Sequence, residues 1–259
     1  MNKKPPVTTL NEIPTGRTKG KLMADADWNF NNSSVNESTL RPLCEQVDKD
    51  FGLANKYYRY FAATPDDFLT KEVGAYFRGV RFPTWATDEV SSHVRDRYLP
   101  SGATQYESLI YIRDTTCLDP AGCVVTYAHE LQHILQHERF PRLMQPNSIL
   151  RARLKDFVKT ATEIDIPIEV DANIVSKRVA ERLCGVESVR RLAEEQVHFM
   201  EKEGAVDQIV RWKFFRDTPS SNPYDYVEET LKLVQKYKSQ IFFGVDIDSP
   251  DWWKGPIDE

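Results

Sequence analysis

Apolar positions along this chain recur mostly three and four residues apart, the spacing of one face of a helix. Leu40, Leu43, Val47 and Phe51 form such a stripe, which predicts a helix from Thr39 to about Tyr60, with Gly52 capping its first part. Thr64-Pro65 is a helix start that runs to about Arg78, and a further helix covers about Thr87 to Arg97 and carries His93. Ser108 to Arg113 (S-L-I-Y-I-R) breaks the pattern. It is short, β-branched and aromatic, and predicts a strand. Asp119-Pro120 then opens a half-buried helix with Val124, Ala128, Leu131 and Leu135 on its inner face, ended by Phe140-Pro141. Later helices are predicted over Ile149 to Ala161, Ile166 to Leu183, Val186 to Phe199, Ala205 to Phe215 and Pro223 to Lys238. In the second of these the stripe is Ile168, Ala172, Val175, Val179 and Leu183. The expected fold is α+β with helices dominant, a small twisted sheet packing on the helix that starts at Asp119.

The two ends read differently. Residues 1–36 are polar, with Pro5-Pro6 and an Asn/Ser run, and predict a flexible arm in which Trp28 and Phe30 offer apolar handles to a regulatory partner. Residues 37–240 form the body. Residues 241–259 are an aromatic tail, with Phe242, Phe243, Trp252 and Trp253, expected to dock back on that body.

Charge narrows the function classes. The net charge of −5, with both signs interspersed, argues against nucleic-acid binding. No apolar run approaches membrane-spanning length. Lys3 and Lys4 are followed by no apolar stretch, so a cytoplasmic protein is expected, and delivery by a signal-independent secretion route fits equally. Cys44, Cys117, Cys123 and Cys184 are scattered in a way that suits unpaired thiols better than a disulfide framework, although Cys117 and Cys123 are close enough in sequence to bridge.

The chemistry concentrates in His129-Glu130-Leu131-Gln132-His133. Two histidines four apart on a helix share a face and can reach one metal ion, and the glutamate after the first can act as general base on a water there. This is the H-E-x-x-H arrangement of zinc peptidases. With only five histidines in the chain, chance is a poor explanation for it. A core helix carrying two satisfied histidines is the plain alternative.

A catalytic zinc needs a third protein ligand. His137 lies about 12 Å along the helix from His129, too far to share the ion. Gln136 and Arg139 stand where a metzincin has glycine and histidine, which excludes that class. Glu169 is the better candidate, on a second helix, with Glu163, Asp165 and His198 in reserve. Asn173, four residues on and on the same face, is placed to accept a hydrogen bond from a ligand imidazole. Asp171 lies about 200° round that helix from Glu169, so both cannot approach one metal.

Together, H-E-L-Q-H and the later E-V-D-A-N of Glu169 to Asn173 resemble the gluzincins, and within them are most similar to the ImmA/IrrE family of bacterial repressor-cleaving metallopeptidases. Asn173 stands where gluzincins more generally carry Asp. The resemblance covers about Ser108 to Leu183. It implies a soluble zinc endopeptidase acting on a protein or peptide substrate, with Zn²⁺ held by His129, His133 and Glu169 and with Glu130 as base. Related enzymes stabilise the oxyanion with a Tyr or His, for which His198, Tyr224 and Tyr226 are available. A strand beside the motif helix often offers its edge to an extended substrate, a role open to Ser108–Arg113. Two other classes carry the same residues: a zincin-like binding protein without activity, and a metal-dependent amidase acting on a non-protein substrate.

Overall fold

The computed structural model describes residues 28–30, 36–52, 57–61, 79–83, 108–112, 119–249 and 251–254. The expected helices at 64–78 and 87–97, with His93, lie outside these residues, as do Cys117 and most of the N-terminal arm. The architecture is α+β and helix-dominated.

The chain divides into two compact units, one within residues 8–130 and the other within residues 131–259. In the first, Asn36 caps helix α1 (Glu37–Phe51) by accepting from the Thr39 amide at 3.3 Å. Leu40, Val47 and Phe51 are buried as the periodicity requires, and Cys44 takes the inner position expected of Leu43. The helix stops at Gly52, whose φ of 62° is the left-handed value that glycine adopts at little cost. The expected continuation to Tyr60 does not form. Tyr57–Phe61 is a strand, because Y-Y-R-Y-F is rich in aromatic residues that favour a pleated surface.

Among the described residues four strands make one sheet in the order β1-β2-β4-β3: β1 (Trp28–Phe30), β2 (Tyr57–Phe61), β3 (Gly79–Pro83) and β4 (Ser108–Ile112). β1, β2 and β4 run parallel, with Arg59 opposite Ile110, and β3 lies antiparallel to β4. The strand expected at Ser108–Arg113 is therefore present, but it is interior, bonded on both sides. It has no edge for a substrate. The expectation that residues 1–36 form only a flexible arm also fails at Trp28–Phe30, where pairing with β2 satisfies the backbone.

Helix α2 (Pro120–Arg139) carries the H-E-x-x-H motif. Asp119 accepts from the Ala121 amide at 2.9 Å and opens it. The expectation of a half-buried helix understates the enclosure, since from Ala121 to Ile134 every residue but His133 is buried. Cys123 lies buried in this stretch, and its sequence neighbour Cys117 is outside the described residues.

In the second unit a 3-10 turn at Pro141–Leu143 leads to α3 (Met144–Phe157), α4 (Pro167–Cys184), α5 (Val186–Glu203), α6 (Val206–Asp217) and α7 (Tyr226–Tyr237). α7 starts three residues after Pro223 because Asp225 caps it, accepting from the Val227 and Glu228 amides. Leu143, Leu150, Leu154, Ile166, Val234 and Tyr237 form a core that Ile241, Phe243 and Trp252 complete. Each such side chain contributes about 1.5–3 kcal/mol on burial, so the C-terminal tail is part of this unit. On α4, Lys177 is buried and donates to the carbonyls of Phe215, Arg216 and Thr218, closing the end of α6. Burial lowers the pKa of that ammonium. Among the described residues no helix is long and apolar enough to cross a membrane.

The first unit contains a charged group in its interior. Arg59 on β2 is fully enclosed; it donates from Nε to the Tyr127 hydroxyl at 2.6 Å and from an Nη to Asp48 at 3.1 Å. Tyr127 donates to the same Asp48 oxygen at 2.6 Å. Burial raises the Asp48 pKa, against the opposing pull of Arg59 and of the Tyr127 hydrogen bond. Removing one member leaves an uncompensated buried charge. Asp48→Ala is therefore expected to lower unfolding free energy by about 3–5 kcal/mol, while Asp48→Leu combined with Arg59→Met loses much less. Urea denaturation of the two variants beside the wild type checks this.

Candidate metal centre

His129 and His133 lie one turn apart on α2 because four residues advance a helix by about one turn. Glu169 comes from the first turn of α4, where Ile166 leads in with extended backbone and Pro167 occupies the first helical position. These residues converge. His129, His133 and Glu169 each offer one ligand atom, and those atoms all lie within 4.8 Å of one another. His129 and Glu169 are buried and His133 is partly exposed. His133 Nε2 and Glu169 Oε1 are 3.4 Å apart. Bonds of about 2.0–2.1 Å place two tetrahedral zinc ligands about 3.4 Å from each other, so this pair already has the required separation. Two imidazoles and one carboxylate in a buried setting are a donor set that can bind a metal ion.

Glu169 also accepts a hydrogen bond from Arg151, whose side chain on α3 is about half exposed. The guanidinium supplies positive charge beside a carboxylate that is only 2% exposed, and so offsets the cost of burying it. Glu130, next to His129, is buried as well.

The surroundings add members to the expected polar shell. The stripe proposed for α4 is too narrow, since Glu169, Val170, Asp171, Ala172, Asn173 and Ile174 are all buried. Asp171 is not among the converging ligand residues and meets the glutamines of α2 instead. Its Oδ2 accepts from Gln132 Nε2 at 2.6 Å and from Gln136 Nε2 at 2.7 Å. Burial raises the Asp171 pKa, and these two hydrogen bonds oppose the rise. Gln136 Nε2 also donates to the Ile168 carbonyl at 2.9 Å, and Gln136 Oε1 lies 2.8 Å from His133 Nδ1. Asn173 Oδ1 accepts from Arg211 Nε at 3.3 Å, while the acceptor facing the His133 imidazole is Gln136. Arg151, Gln132 and Gln136 escaped the sequence reading. The glutamines had a signal in their spacing, since Gln136 follows Gln132 by four residues and His133 by three.

Other candidates fall elsewhere. Glu163 faces Arg211 at 3.5 Å, and Asp165 accepts from the Thr162 amide at 2.8 Å in a capping box. His198 is exposed on α5 and His137 lies in the last turn of α2. Tyr226 is a core residue, its ring edge-on to Phe140 with centroids 6.3 Å apart, and its hydroxyl is buried without a partner among the described residues. Burial raises the pKa of Tyr224 and Tyr226, with further contributions from nearby carboxylates that include Asp171.

No known protein-family profile matches the chain, and no solved structure matches it. Among curated proteins, the 4-hydroxy-3-methylbut-2-en-1-yl diphosphate synthase (flavodoxin) of Thermotoga maritima is 33% identical over 104 residues, which is 39% of this chain and 28% of that enzyme. The protein of the same description from Thermotoga petrophila is 32% identical over 104 residues, with the same coverage. The chain spans less than a third of the length of the curated relatives it matches, and a likeness of that extent establishes no family.

The geometry predicts about one divalent ion per chain in protein reconstituted and then desalted, measured by elemental mass spectrometry. His129→Ala and Glu169→Ala are each expected to lose it. Arg151→Ala is expected to keep it, since its guanidinium neutralises the carboxylate without being a donor to a cation.

Proposed function

We propose that this chain is a zinc-dependent endopeptidase of the gluzincin type, hydrolysing peptide bonds of a protein substrate. The observation that carries the reading is the convergence of His129, His133 and Glu169, with Glu130 directly beside the first ligand. The three ligands match the His₂Glu set of zinc peptidases, and the open fourth position of such sites is where a water is held. A merely structural site has no use for a buried glutamate at that position.

Zinc bound there would supply Lewis acidity, acidifying a water and polarising an amide carbonyl. His129 and His133 present nitrogen donors from the same face of one helix, and Glu169 adds the carboxylate from α4. Glu130 accepts the proton of the attacking water and passes it to the departing amine as the C–N bond breaks, leaving the new carboxyl group on the other product. Because β4 is interior, an extended substrate is not held by strand addition there.

The test is peptide-bond hydrolysis in a panel of unfolded and folded proteins, read by mass spectrometry. Glu130→Gln is expected to retain zinc while hydrolysis falls by about 10²–10⁴-fold. If wild type takes up no zinc after reconstitution, the reading is wrong. If zinc is held and no peptide bond is cut while small amides are, the amidase alternative replaces it.

A further inference from the structure

Gln136 has an orientation that its partners dictate. The Ile168 carbonyl, 2.9 Å from one end of its amide, can only accept a hydrogen bond, so the amide nitrogen faces it. The same nitrogen reaches Asp171 Oδ2. The amide oxygen must then be the atom facing His133 Nδ1 at 2.8 Å. An amide oxygen cannot donate, so the ring carries its hydrogen on Nδ1. In the neutral imidazole this puts the lone pair on Nε2, the atom 3.4 Å from Glu169 Oε1.

We propose that Gln136 is a positioning residue that sets the tautomer and ring orientation of His133 for metal binding, with Asp171 as the buried anchor that holds Gln136 in place. The inference rests on the metal-site reading above and deepens it. Ligand histidines are commonly oriented by a carboxylate or a backbone carbonyl on their other nitrogen. Here a neutral amide stands between carboxylate and imidazole. It transmits direction without placing a third acidic group against a site that already holds Glu130 and Glu169. Gln132 donates to the same Asp171 oxygen, and so braces the anchor without touching the relay to His133.

The experiment begins without metal, on the whole chain. Long-range ¹H–¹⁵N spectra of the imidazoles, recorded where His133 is neutral, are expected to show His133 as the Nδ1–H tautomer, the signal being assigned by its loss in His133→Gln. Finding the Nε2–H tautomer in the wild type would overturn the proposal without the need for any variant. Gln136→Met keeps the side-chain length and removes all three hydrogen bonds. It is expected to mix the two tautomers and to lower Zn²⁺ affinity, measured by chelator competition, by about 10–100-fold. Gln132→Met, which disturbs the same buried anchor, is expected to leave the His133 tautomer as in the wild type. An unchanged tautomer in folded Gln136→Met, or an equal change in Gln132→Met, would reduce the contact to packing. Because the tautomer is read in metal-free protein, failure of this relay is distinguishable from failure of the zinc peptidase reading, which is decided by metal uptake and hydrolysis.

Discussion

A helix that carries polar side chains into the interior must find partners for them there, since a buried polar group without one costs on the order of 1–3 kcal/mol. α2 and α4 meet this constraint against each other. Gln132 and Gln136 on one helix converge on a single oxygen of Asp171 on the other, and the Ile168 carbonyl takes up the remaining reach of Gln136. The register of α4 against the C-terminal part of α2 follows from these hydrogen bonds, because sliding either helix by one residue would break all of them together. Glu169 comes within 3.4 Å of His133 as a result of that register. The residues that could hold a metal are therefore positioned by neighbours that would never touch it.

Much of the helical scaffold is legible in the sequence because its signals are local. Asp119-Pro120, Pro167 and Gly185 mark helix ends through backbone preferences that hold in any context. The motif pair His129 and His133 is readable for the same reason, since four residues make a turn wherever the helix lies. Glu169 could be found as well, because geometry excludes His137 and the angle round α4 excludes Asp171.

What escaped depended on long-range pairing. Tyr57–Phe61 reads as the continuation of a helix until β4 is there to bond with it, and Trp28–Phe30 becomes a strand only beside β2. The polar shell is only partly legible for a related reason. Asn173 lies on the ligand side of α4 by angle, but angle does not reveal that Arg211 from α6 occupies its oxygen. Gln136 shares a helix face with Gln132 and His133 by spacing, but spacing does not reveal what its amide meets across the interface of the two helices. Its meaning comes from two acceptors on α4, more than thirty residues away in the chain.

The sheet has a consequence for behaviour at high concentration. With β4 enclosed by β2 and β3, its outer members among the described strands are β1 and β3. These are poor templates for a stray chain. β1 is only three residues long, and β3 ends at Pro83, which has no amide hydrogen to offer. The most apolar strand, S-L-I-Y-I, is the one withheld from the margin. Folding thus sequesters the segment with the strongest tendency to self-associate, and protection against aggregation depends on β3 staying paired.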